Sequence, residues 1–402
     1  MTERGMAVEE LRGTILLPDG QIEYGSVFYE HGRISCIQKR KPQKNGNKLL
    51  ILPGFVDIHN HGAMQCDYMD ATESSFAAIG KYLAAHGVAS AQCTTVSAPL
   101  NQILSFLHFY RNRHNKALEG ECRFIGVHIE GPYIAPAARG AHPLEILRTP
   151  PDGYDWILEN ADIIREITVA PELPGMPQMI RDMTRKGITV SGGHDRSELE
   201  DVQRAVDSGM THSTHLYCAM STLHKTNGHR RCGLTEYVMT HDNVTAEIIA
   251  DNHHVPPLLA KMVYNAKGPR GVCLVSDAIA PSGLPESPGV YHLGSGEDST
   301  RVIVENGVAM VEDRSCYAGS VTPLDRMVRN LTFDAGIPLV DAVRMASLTP
   351  AEVIGAQKDI GSIAVGKYAD FCVMDQNLQV LKTIVQGRVA YEGKERSENC
   401  DT

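Results

Sequence analysis

Short apolar runs alternate with longer segments of helical period between about Leu52 and Met345. Eight of the runs are rich in β-branched residues and predict strands. They are LPGFVDIH, VASAQCTTVSA, RFIGVHIE, IREITVA, ITVSGGH, MTHSTHL, TAEIIAD and VCLVSDA. The intervening segments include ESSFAAIGKYLAAHG, MPQMIRDMTRKG and SELEDVQRAVDSG, each ending on a glycine that suits a left-handed helix cap. Eight strands with helices between them, over about 290 residues, predict an α/β fold of the (β/α)8 TIM barrel type.

The two ends of the chain show a different pattern, in which strand-like alternation is interrupted by glycine and aspartate. TILLPDGQIEYGSVFYEHGRISCIQ precedes the barrel, and GSIAVGKYADFCVMDQNLQVLKTIVQGRVAYEG follows it. Neither flank is large enough to bury a core of its own. We therefore predict one small β-sandwich domain built from residues 1–52 and 351–402, with the barrel of residues 53–350 inserted between its two halves.

The overall composition restricts the classes of function. The chain of 402 residues is 43% hydrophobic and 21% charged, as is typical of globular proteins, and its formal net charge is -10. This charge argues against nucleic acid or an anionic membrane as a partner and favours a small-molecule substrate. The chain has no apolar run of about 18 residues and no apolar stretch after a basic start, so we expect a cytoplasmic protein without a membrane span or secretion signal. The ten cysteines form no CxxC pair and are expected to be reduced thiols.

Histidine and carboxylate residues recur at the predicted strand ends. His59 and His61 lie two residues apart in DIHNHG, so both imidazoles point to one face and can bind one ion, although surface loops also contain such pairs. Glu130 ends the third predicted strand, where a carboxylate is costly unless a positive group meets it. A metal ion is the economical partner, and an arginine is the alternative. His128 is considered as an interior histidine instead of a ligand. His142 lies in a loop from which it could contact substrate.

His194 and His215 end the fifth and sixth predicted strands, in SGGHDRS and THSTHLYCAM. Histidines at successive strand ends of one barrel meet at its C-terminal face, so both are candidate metal ligands together with Glu130. His212 lies on the opposite face of its strand and is expected not to bind the metal. Asp277 ends the eighth strand, where a carboxylate can touch a metal and its water and act as general base and then general acid. An aspartate that caps the next helix is the alternative.

These segments, in this order, resemble the amidohydrolase superfamily and, within it, the N-acetylglucosamine-6-phosphate deacetylases. The resemblance spans nearly the whole chain. It includes LPGFVDIHNHG, HIEGPYIAP with RGAH, APE at residues 170–172, GGH, THLYCAM, IIADNHHV, LVSDAIAPSG, YAGSVTPLDRMVRNL, and SLTPAEVIG followed by GSIAVGKYADF. Glutamate in HIEGP is the most specific element, because many members of the superfamily use a carboxylated lysine there. The resemblance implies a barrel with a small sandwich, usually as a homodimer.

The resemblance also implies roles for individual residues. The implied main metal ligands are Glu130, His194 and His215, the implied catalytic and metal-contacting aspartate is Asp277, and His59 and His61 match a second-metal pair present in some members. The implied substrate-binding positions are His142, Cys218, Ala219, Arg230, His254, Ala318, Gly319 and Ser320. The chain departs from the family at Cys218, where Asn is common, at residues 231–233, where EPG is common, and at Asp195, which replaces Ser. These departures concern contacts to the sugar and its phosphate.

The implied activity is metal-dependent hydrolysis of the acetamide of an N-acetylhexosamine 6-phosphate, which releases acetate and the amino sugar phosphate. Arg230 is the expected phosphate ligand, and His142 or His254 is expected to stabilise the oxyanion or hold sugar hydroxyls. We expect one or two divalent metal ions per chain and predict two from the HxH pair. Zinc is the first expectation, and iron, manganese and cobalt suit the same ligands. The alternatives are an amidohydrolase that deacylates a different N-acetylated sugar or amine, and a non-catalytic metal-binding scaffold.

Overall fold

The barrel expected from the sequence is present in the computed structural model, which describes residues 8–20, 22–41, 49–285, 289–296 and 299–393. Eight parallel strands form one sheet in which each strand lies beside the barrel strands that precede and follow it along the chain. Each predicted apolar run supplies one of these strands, so the prediction is confirmed. From first to eighth, the barrel strands are Phe55–Asp57, Val88–Thr95, Arg123–Glu130, Ile164–Val169, Thr189–Gly192, His212–Ser213, Thr245–Ile248 and Val272–Leu274.

Polar contacts connect the first and eighth barrel strands and bring the two edges of this sheet together. The backbone N–H of Asp277 donates to the carbonyl of His59 at 2.9 Å. The hydroxyl of Ser276 donates to the Asp57 carboxylate at 2.6 Å, which satisfies a fully buried acceptor. The carboxyl ends of these two strands, which carry His59 and Asp277, therefore lie side by side.

Helices cover the outside of the barrel where the sequence shows amphipathic segments. The helix Met176–Arg185 buries Met179, Ile180 and Met183 in the main core, and each such side chain contributes roughly 1.5–3 kcal/mol on burial. The chain then turns at Gly187, whose φ is +79°. The α-helices are Glu73–Ala85, Leu100–Tyr110, Asp155–Glu159, Met176–Arg185, Leu199–Ser208, Leu234–Thr240, Pro257–Lys267, Leu324–Arg329, Leu339–Met345 and Leu348–Val353. Shorter 3-10 turns are Tyr68–Asp70, Pro136–Ala138, Leu144–Ile146 and Pro150–Asp152, and Asn330–Asp334 is a π-helix.

The two ends of the chain form one seven-stranded sheet. Its strands in spatial order are Arg388–Glu392, Val380–Val385, Phe371–Met374, Leu50–Pro53, Glu9–Leu16, Ile22–Glu30 and Arg33–Lys39. The central strand Leu50–Pro53 pairs in parallel with Glu9–Leu16 and antiparallel with Phe371–Met374. The predicted domain made from both chain ends is therefore confirmed. The outer residues 1–7 and 394–402 of the predicted sandwich lie outside the described part of the chain.

This sheet is continuous and curls over its own core. The N–H of Ile34, near one edge, donates to the carbonyl of Lys367, close to the strands of the other half, at 2.9 Å. The enclosed side chains are Ile15, Val27, Tyr29, Ile34, Ile51, Ile363, Ala369, Phe371 and Ile384. The small domain thus closes its core by bending one continuous sheet.

Three smaller β-structures do not follow from the apolar pattern that we used, and the shortest is the antiparallel pair of Gly62–Ala63 and Cys66–Asp67. The other two are the hairpin of His224–Thr226 and His229–Arg231 and a three-stranded sheet of Gly289–Leu293, Thr300–Glu305 and Val308–Val311. Both contain an Asn-Gly turn, at 227–228 and 306–307, with positive φ at both residues. Asn-Gly between two short strand-like segments is the strongest local signal for a hairpin. That signal could have located both structures.

Nine cysteines in the described part of the chain are free, as expected, and Cys400 lies outside it. Among the described residues, no helix combines the length and the apolar character needed to cross a membrane.

Candidate active site

The six residues predicted to bind metal or act in catalysis meet at the C-terminal face of the barrel. They come from the ends of the first, third, fifth, sixth and eighth strands, where barrel enzymes place their catalytic groups. The exposed fractions are 0% for His59, 3% for His61 and Glu130, 5% for His194, 4% for His215 and 6% for Asp277. The backbone is left-handed at His194, His215 and Asp277, with φ of +48°, +25° and +46°. Such backbone strain in non-glycine residues is concentrated at functional sites.

Glu130, His194 and His215 form what we call the first half-site. Glu130 Oε1 lies 3.2 Å from His194 Nε2 and 3.0 Å from His215 Nε2, and the two nitrogens are 3.1 Å apart. In the neutral ring, His194 Nδ1–H donates to the carbonyl of Ala138 at 2.8 Å, which leaves a lone pair on Nε2. Lone pairs this close repel one another unless a proton or a metal ion lies between them. Their separations suit ligands of a single ion with bonds of about 2.0–2.1 Å.

His59 and His61, together with Asp277 and the shared Glu130, form the second half-site. His61 Nε2 lies 3.3 Å from Glu130 Oε2 and 3.3 Å from Asp277 Oδ1. His59 Nε2 lies 3.6 Å from Glu130 Oε1 and 3.6 Å from Asp277 Oδ1, and it has no hydrogen-bond partner among the described residues. A buried nitrogen in this position, facing two carboxylates, fits a ligand of a cation. Because Glu130 contacts both half-sites, its carboxylate is able to bridge two ions.

The charges of the cluster also fit a cation. Burial opposes ionisation of Glu130, but the charge of His59 and hydrogen bonds from other histidines hold its pKa well below the ordinary value. Burial opposes ionisation of Asp277 as well, and His59 and His61 lower its pKa in spite of this. Burial disfavours the protonated form of His61, yet hydrogen bonds to Asp277 and Glu130 raise its pKa to about 9. The two buried carboxylates therefore demand positive charge, which protons on His59 and His61 or a divalent ion can supply.

His142 lies beside the half-sites in a defined neutral form. Its Nδ1 accepts hydrogen bonds from the backbone N–H and the hydroxyl of Ser97, at 3.1 and 2.8 Å. Burial lowers the pKa of His142 to about 4, so the ring carries a single proton, on Nε2, at neutral pH. That Nε2 lies 3.4 Å from Glu130 Oε2. His142 is therefore an uncharged N–H donor directed into the site.

A cavity of about 620 Å³ has the size of a small-molecule site, and its wall includes His61, Glu130, His194, His215 and Asp277. Six of the predicted substrate-binding residues line it, namely His142, Cys218, Ala219, His254, Ala318 and Gly319. Ser320 is buried without being part of the lining. Arg230 is exposed on its hairpin and lies outside the cavity wall of its own chain. The role of Arg230 in phosphate binding stays a prediction.

The turn of residues 318–320 holds the backbone of Asp277. The N–H of Ser320 donates to the carbonyl of Asp277 at 2.7 Å. Gly319 has φ +65°, and a Cβ at this position would lie 2.5 Å from Ile279 Cγ2 and 2.8 Å from the Asp277 carbonyl oxygen. Glycine is required because both the backbone conformation and the available space exclude a side chain. The turn that the sequence indicated as a substrate contact therefore also fixes the position of the aspartate.

Asp195, at a position where the family commonly has serine, connects two loops of the site. Its Oδ2 accepts from the Ser221 hydroxyl at 2.6 Å, and its Oδ1 accepts from the Ser221 N–H at 3.0 Å. The Asp195 N–H donates to the carbonyl of Ala219 at 3.1 Å. Asp195 directly follows His194, so it joins a candidate metal ligand to the loop that carries Cys218.

Three arginines of the cavity wall were not predicted from the sequence as site residues. They are Arg139, Arg196 and Arg314. Arg139 belongs to the RGAH segment, so its place near the site could have been inferred from its neighbour His142. Arg314 follows the three-stranded sheet, and its place depends on how that sheet packs over the barrel, which local sequence does not indicate.

Two further histidines are interior residues outside both half-sites. His128 Nε2 is hydrogen-bonded to the Thr168 hydroxyl at 2.7 Å, and burial lowers its pKa to about 3. His212 Nδ1 is hydrogen-bonded to the Thr245 hydroxyl at 2.6 Å. The hydrogen bond of His128 fits the interior role considered for it. The non-ligand role expected for His212 stays a prediction, because its Nε2 lies 3.7 Å from Glu166 Oε1 and 3.4 Å from Glu247 Oε1, and these three buried groups could hold a cation.

A parallel barrel whose strand ends join four histidines, a shared glutamate and an aspartate has the fold and site of a metal-dependent hydrolase. Residues 50–390 match the amidohydrolase family, and the chain belongs to that family. It is similar to N-acetylglucosamine-6-phosphate deacetylase from Vibrio furnissii, at 33% identity over 370 residues that cover 90% of each chain. It is also similar to N-acetylglucosamine-6-phosphate deacetylase from Bos taurus, at 32% identity over 399 residues that cover 95% of this chain and 91% of the relative.

Solved structures agree with these sequence matches. N-acetylglucosamine-6-phosphate deacetylase from Thermotoga maritima is 28% identical with a TM-score of 0.85, and the match covers 96% of this chain and 100% of the other. A mutant of the enzyme from Mycobacterium smegmatis, in complex with N-acetyl-D-glucosamine-6-phosphate, is 26% identical with a TM-score of 0.84, and the match covers 96% and 99% of the two chains.

Proposed function

We propose that this protein hydrolyses the acetamide of N-acetylglucosamine 6-phosphate to acetate and glucosamine 6-phosphate. The observation that carries the proposal is the pair of half-sites that share Glu130 and border the cavity, with Asp277 in its wall. The similarity to N-acetylglucosamine-6-phosphate deacetylases over at least 90% of the chain supports the choice of substrate. Neither the deacylation of a different amine nor a non-catalytic scaffold gains comparable support.

The donor set fits one divalent ion in each half-site. Glu130, His194 and His215 would hold the first ion, and His59, His61, Asp277 and the second oxygen of Glu130 would hold the other. A bound divalent ion supplies positive charge that polarises the amide carbonyl and favours ionisation of a water molecule. Zinc is our first choice among the metals that such nitrogen and oxygen ligands accept.

The protein side chains then have defined tasks in the reaction. Asp277 is ionised, so its carboxylate accepts a proton from the attacking water as the new C–O bond forms. The Nε2–H of His142 donates to the carbonyl oxygen while negative charge develops there. When the C–N bond breaks, Asp277 returns the proton to the leaving amine, which departs as the amino sugar, while the acetyl group departs as acetate.

His254 is placed to bind the sugar. Its Nδ1–H donates to Asp251 Oδ2 at 2.7 Å, and the residue lines the cavity. This hydrogen bond fixes the orientation of the ring and leaves Nε2 available as an acceptor for a sugar hydroxyl. Cys218 lies on the same wall, where burial raises the pKa of its thiol, so it remains a neutral and weak donor.

The 6-phosphate requires cationic partners, and the cavity offers them within one chain. Arg139 donates to the carbonyl of His142, and Arg196 donates to the carbonyl of Ala137, so both guanidiniums are anchored at the cavity by backbone oxygens. Arg314 is paired with Glu305 instead. We propose that Arg139 and Arg196 bind the phosphate. Arg230 would bind it only if its exposed hairpin reached the bound substrate.

A substrate panel tests the proposed function. Metal-loaded protein is assayed for acetate release from N-acetylglucosamine and N-acetylgalactosamine, each with and without a 6-phosphate. We expect the highest kcat/KM for N-acetylglucosamine 6-phosphate. Equal values with and without the phosphate would refute the phosphorylated substrate, and the absence of hydrolysis from the whole panel would refute the deacetylase assignment.

The same panel locates the phosphate contacts. We expect Arg196→Ala to lower kcat/KM for the phosphorylated sugar while leaving that for the unphosphorylated sugar near the parent value. Arg314→Ala is the matched control on the same wall. If Arg230→Ala alone gives the phosphate-specific loss, the exposed hairpin binds the phosphate and the assignment to Arg139 and Arg196 is wrong.

Three further features, of which the first is implied by the resemblance to the family and the other two are expected from the sequence pattern, remain part of this proposal. They are assembly as a homodimer, a cytoplasmic location, and domain boundaries at residues 52/53 and 350/351. Size-exclusion chromatography with light scattering tests the first of these.

A further inference from the structure

Glu247 is a fully buried carboxylate beneath the active site that the proposed mechanism does not use. It lies on the seventh barrel strand, Thr245–Ile248, with 0% of its surface exposed. A buried carboxylate is costly unless several donors satisfy it, so its partners indicate why it is there.

The partners of Glu247 belong to both half-sites. Its Oε2 lies 2.9 Å from His59 Nδ1 and accepts the backbone N–H of His215 at 3.1 Å. Its Oε1 lies 3.4 Å from Nε2 of His212. His212 is held in turn by the hydroxyl of Thr245 at 2.6 Å. The side chain of Glu247 therefore contacts the ring of His59, a candidate ligand of the second half-site. The same carboxylate accepts the backbone N–H of His215, a candidate ligand of the first half-site.

The hydrogen bond to His59 determines which ring nitrogen is free. A carboxylate at 2.9 Å keeps a proton on Nδ1, and the neutral ring then has its lone pair on Nε2. That Nε2 faces Glu130 and Asp277 at 3.6 Å each, and no hydrogen-bond partner for it is present in the described ranges. A carboxylate behind a ligand histidine also makes the imidazole a stronger ligand and fixes the plane of its ring.

We infer that Glu247 is a positioning residue that makes the His59–His61 pair competent to bind the second ion. Glu247 acts through His59 and touches neither substrate nor reacting atoms. The inference rests on the metal ligands of the proposed function and is independent of the identity of the substrate. Glu166, another buried glutamate of the barrel interior, provides a comparison because its side chain contacts Gln92 at 2.9 Å and His212 at 3.7 Å.

The substitution Glu247→Gln tests the inference because it keeps the size of the side chain and removes its charge. Metal-free protein is titrated with Zn²⁺ by equilibrium dialysis, with elemental analysis, and in parallel with Co²⁺ followed by its absorption spectrum. We expect affinity for the second ion to fall about 10- to 100-fold while the first ion is retained. Glu166→Gln is the matched control and should bind both ions like the parent.

A double-mutant cycle separates this role from a general loosening of the barrel. In a His59→Asn background, the further change Glu247→Gln should leave metal affinity unaltered, because its effect passes through His59. If Glu247→Gln does not fold, Glu247→Asp retains the charge but withdraws the carboxylate from Nδ1, and it should show the same selective loss. Parent-like binding of the second ion, equal loss in Glu166→Gln, or loss of both ions together would overturn the inference. One ion per chain in the replete parent would also overturn it, whereas failure of the proposed function would appear in the substrate panel.

Discussion

The turn at Gly319 allows a sharp test of how the fold places the catalytic aspartate. Gly319 adopts φ +65°, and a Cβ on it would lie 2.5 Å from Ile279 Cγ2 and 2.8 Å from the carbonyl oxygen of Asp277. The perturbation is Gly319→Ala, which adds one methyl group and no charge. The added atom overlaps the backbone of Asp277, so the chain must either tolerate the overlap or move the aspartate.

Two terms set the size of the effect. A side chain at left-handed φ costs about 1–2 kcal/mol, and an added methyl group in a filled space costs about 1–3 kcal/mol more. Gly336 isolates the first term, because its φ is +61° and no heavy atom lies within 4 Å of the position its Cβ would take. Gly336→Ala should therefore show the first cost alone, and Gly319→Ala about 2–5 kcal/mol in total.

Both variants are measured by urea unfolding and by kcat/KM for acetate release from N-acetylglucosamine 6-phosphate. We expect Gly319→Ala to unfold at lower urea than Gly336→Ala. If the overlap is relieved by displacement of Asp277, kcat should fall instead, by about 100-fold for a shift of 1 Å. Gly336→Ala should keep the parent rate. Equal stability and equal activity of the two variants would refute the reasoning.

Three further predictions concern the candidate ligands. Asp277→Asn should retain the ion of the first half-site and lower kcat at least about 100-fold, because the proton acceptor is lost; a near-parent rate would remove Asp277 from the mechanism. Glu130→Gln should lose metal on dialysis against a chelator, because an amide is a poorer ligand than a carboxylate, and unchanged metal content would contradict the prediction. Changing both His59 and His61 to Asn should lower the bound metal from two ions to one with reduced activity, and elemental analysis showing one ion in both proteins would disprove the two-metal site.

The barrel and the cluster at its C-terminal face could be predicted because each depends on local pattern. The strand period marks eight strands, and parallel topology then brings their carboxyl ends together. His59, Glu130, His194 and Asp277 could thus be assigned to one place without any knowledge of how the strands tilt. For the small domain, the sequence predicted only that the two flanks of the chain fold together. A bent sheet and two stacked sheets show the same alternation of apolar and polar positions.

The remaining features depend on register and on long-range packing. Glu247 occupies an ordinary inward position of an apolar strand, and its contact with His59 across the barrel depends on strand stagger, which sequence alone does not specify. Arg230 and Arg196 could not be ranked as phosphate contacts for a similar reason. The direction of a hairpin and of a loop is decided by tertiary packing, and only the structure shows that Arg196 lines the cavity while Arg230 does not.

The interleaving of both chain ends in the seven-stranded sheet has a consequence for biosynthesis. Leu50–Pro53 lies between Glu9–Leu16 and Phe371–Met374, so one edge of the early strands stays open until the late strands emerge from the ribosome. At about 5–20 residues per second, the roughly 320 residues between them take about 15–65 s to synthesise. An unpaired apolar edge recruits other chains during such a delay. The nascent protein should therefore depend on chaperone binding to its first 53 residues until the barrel and the last strands are complete.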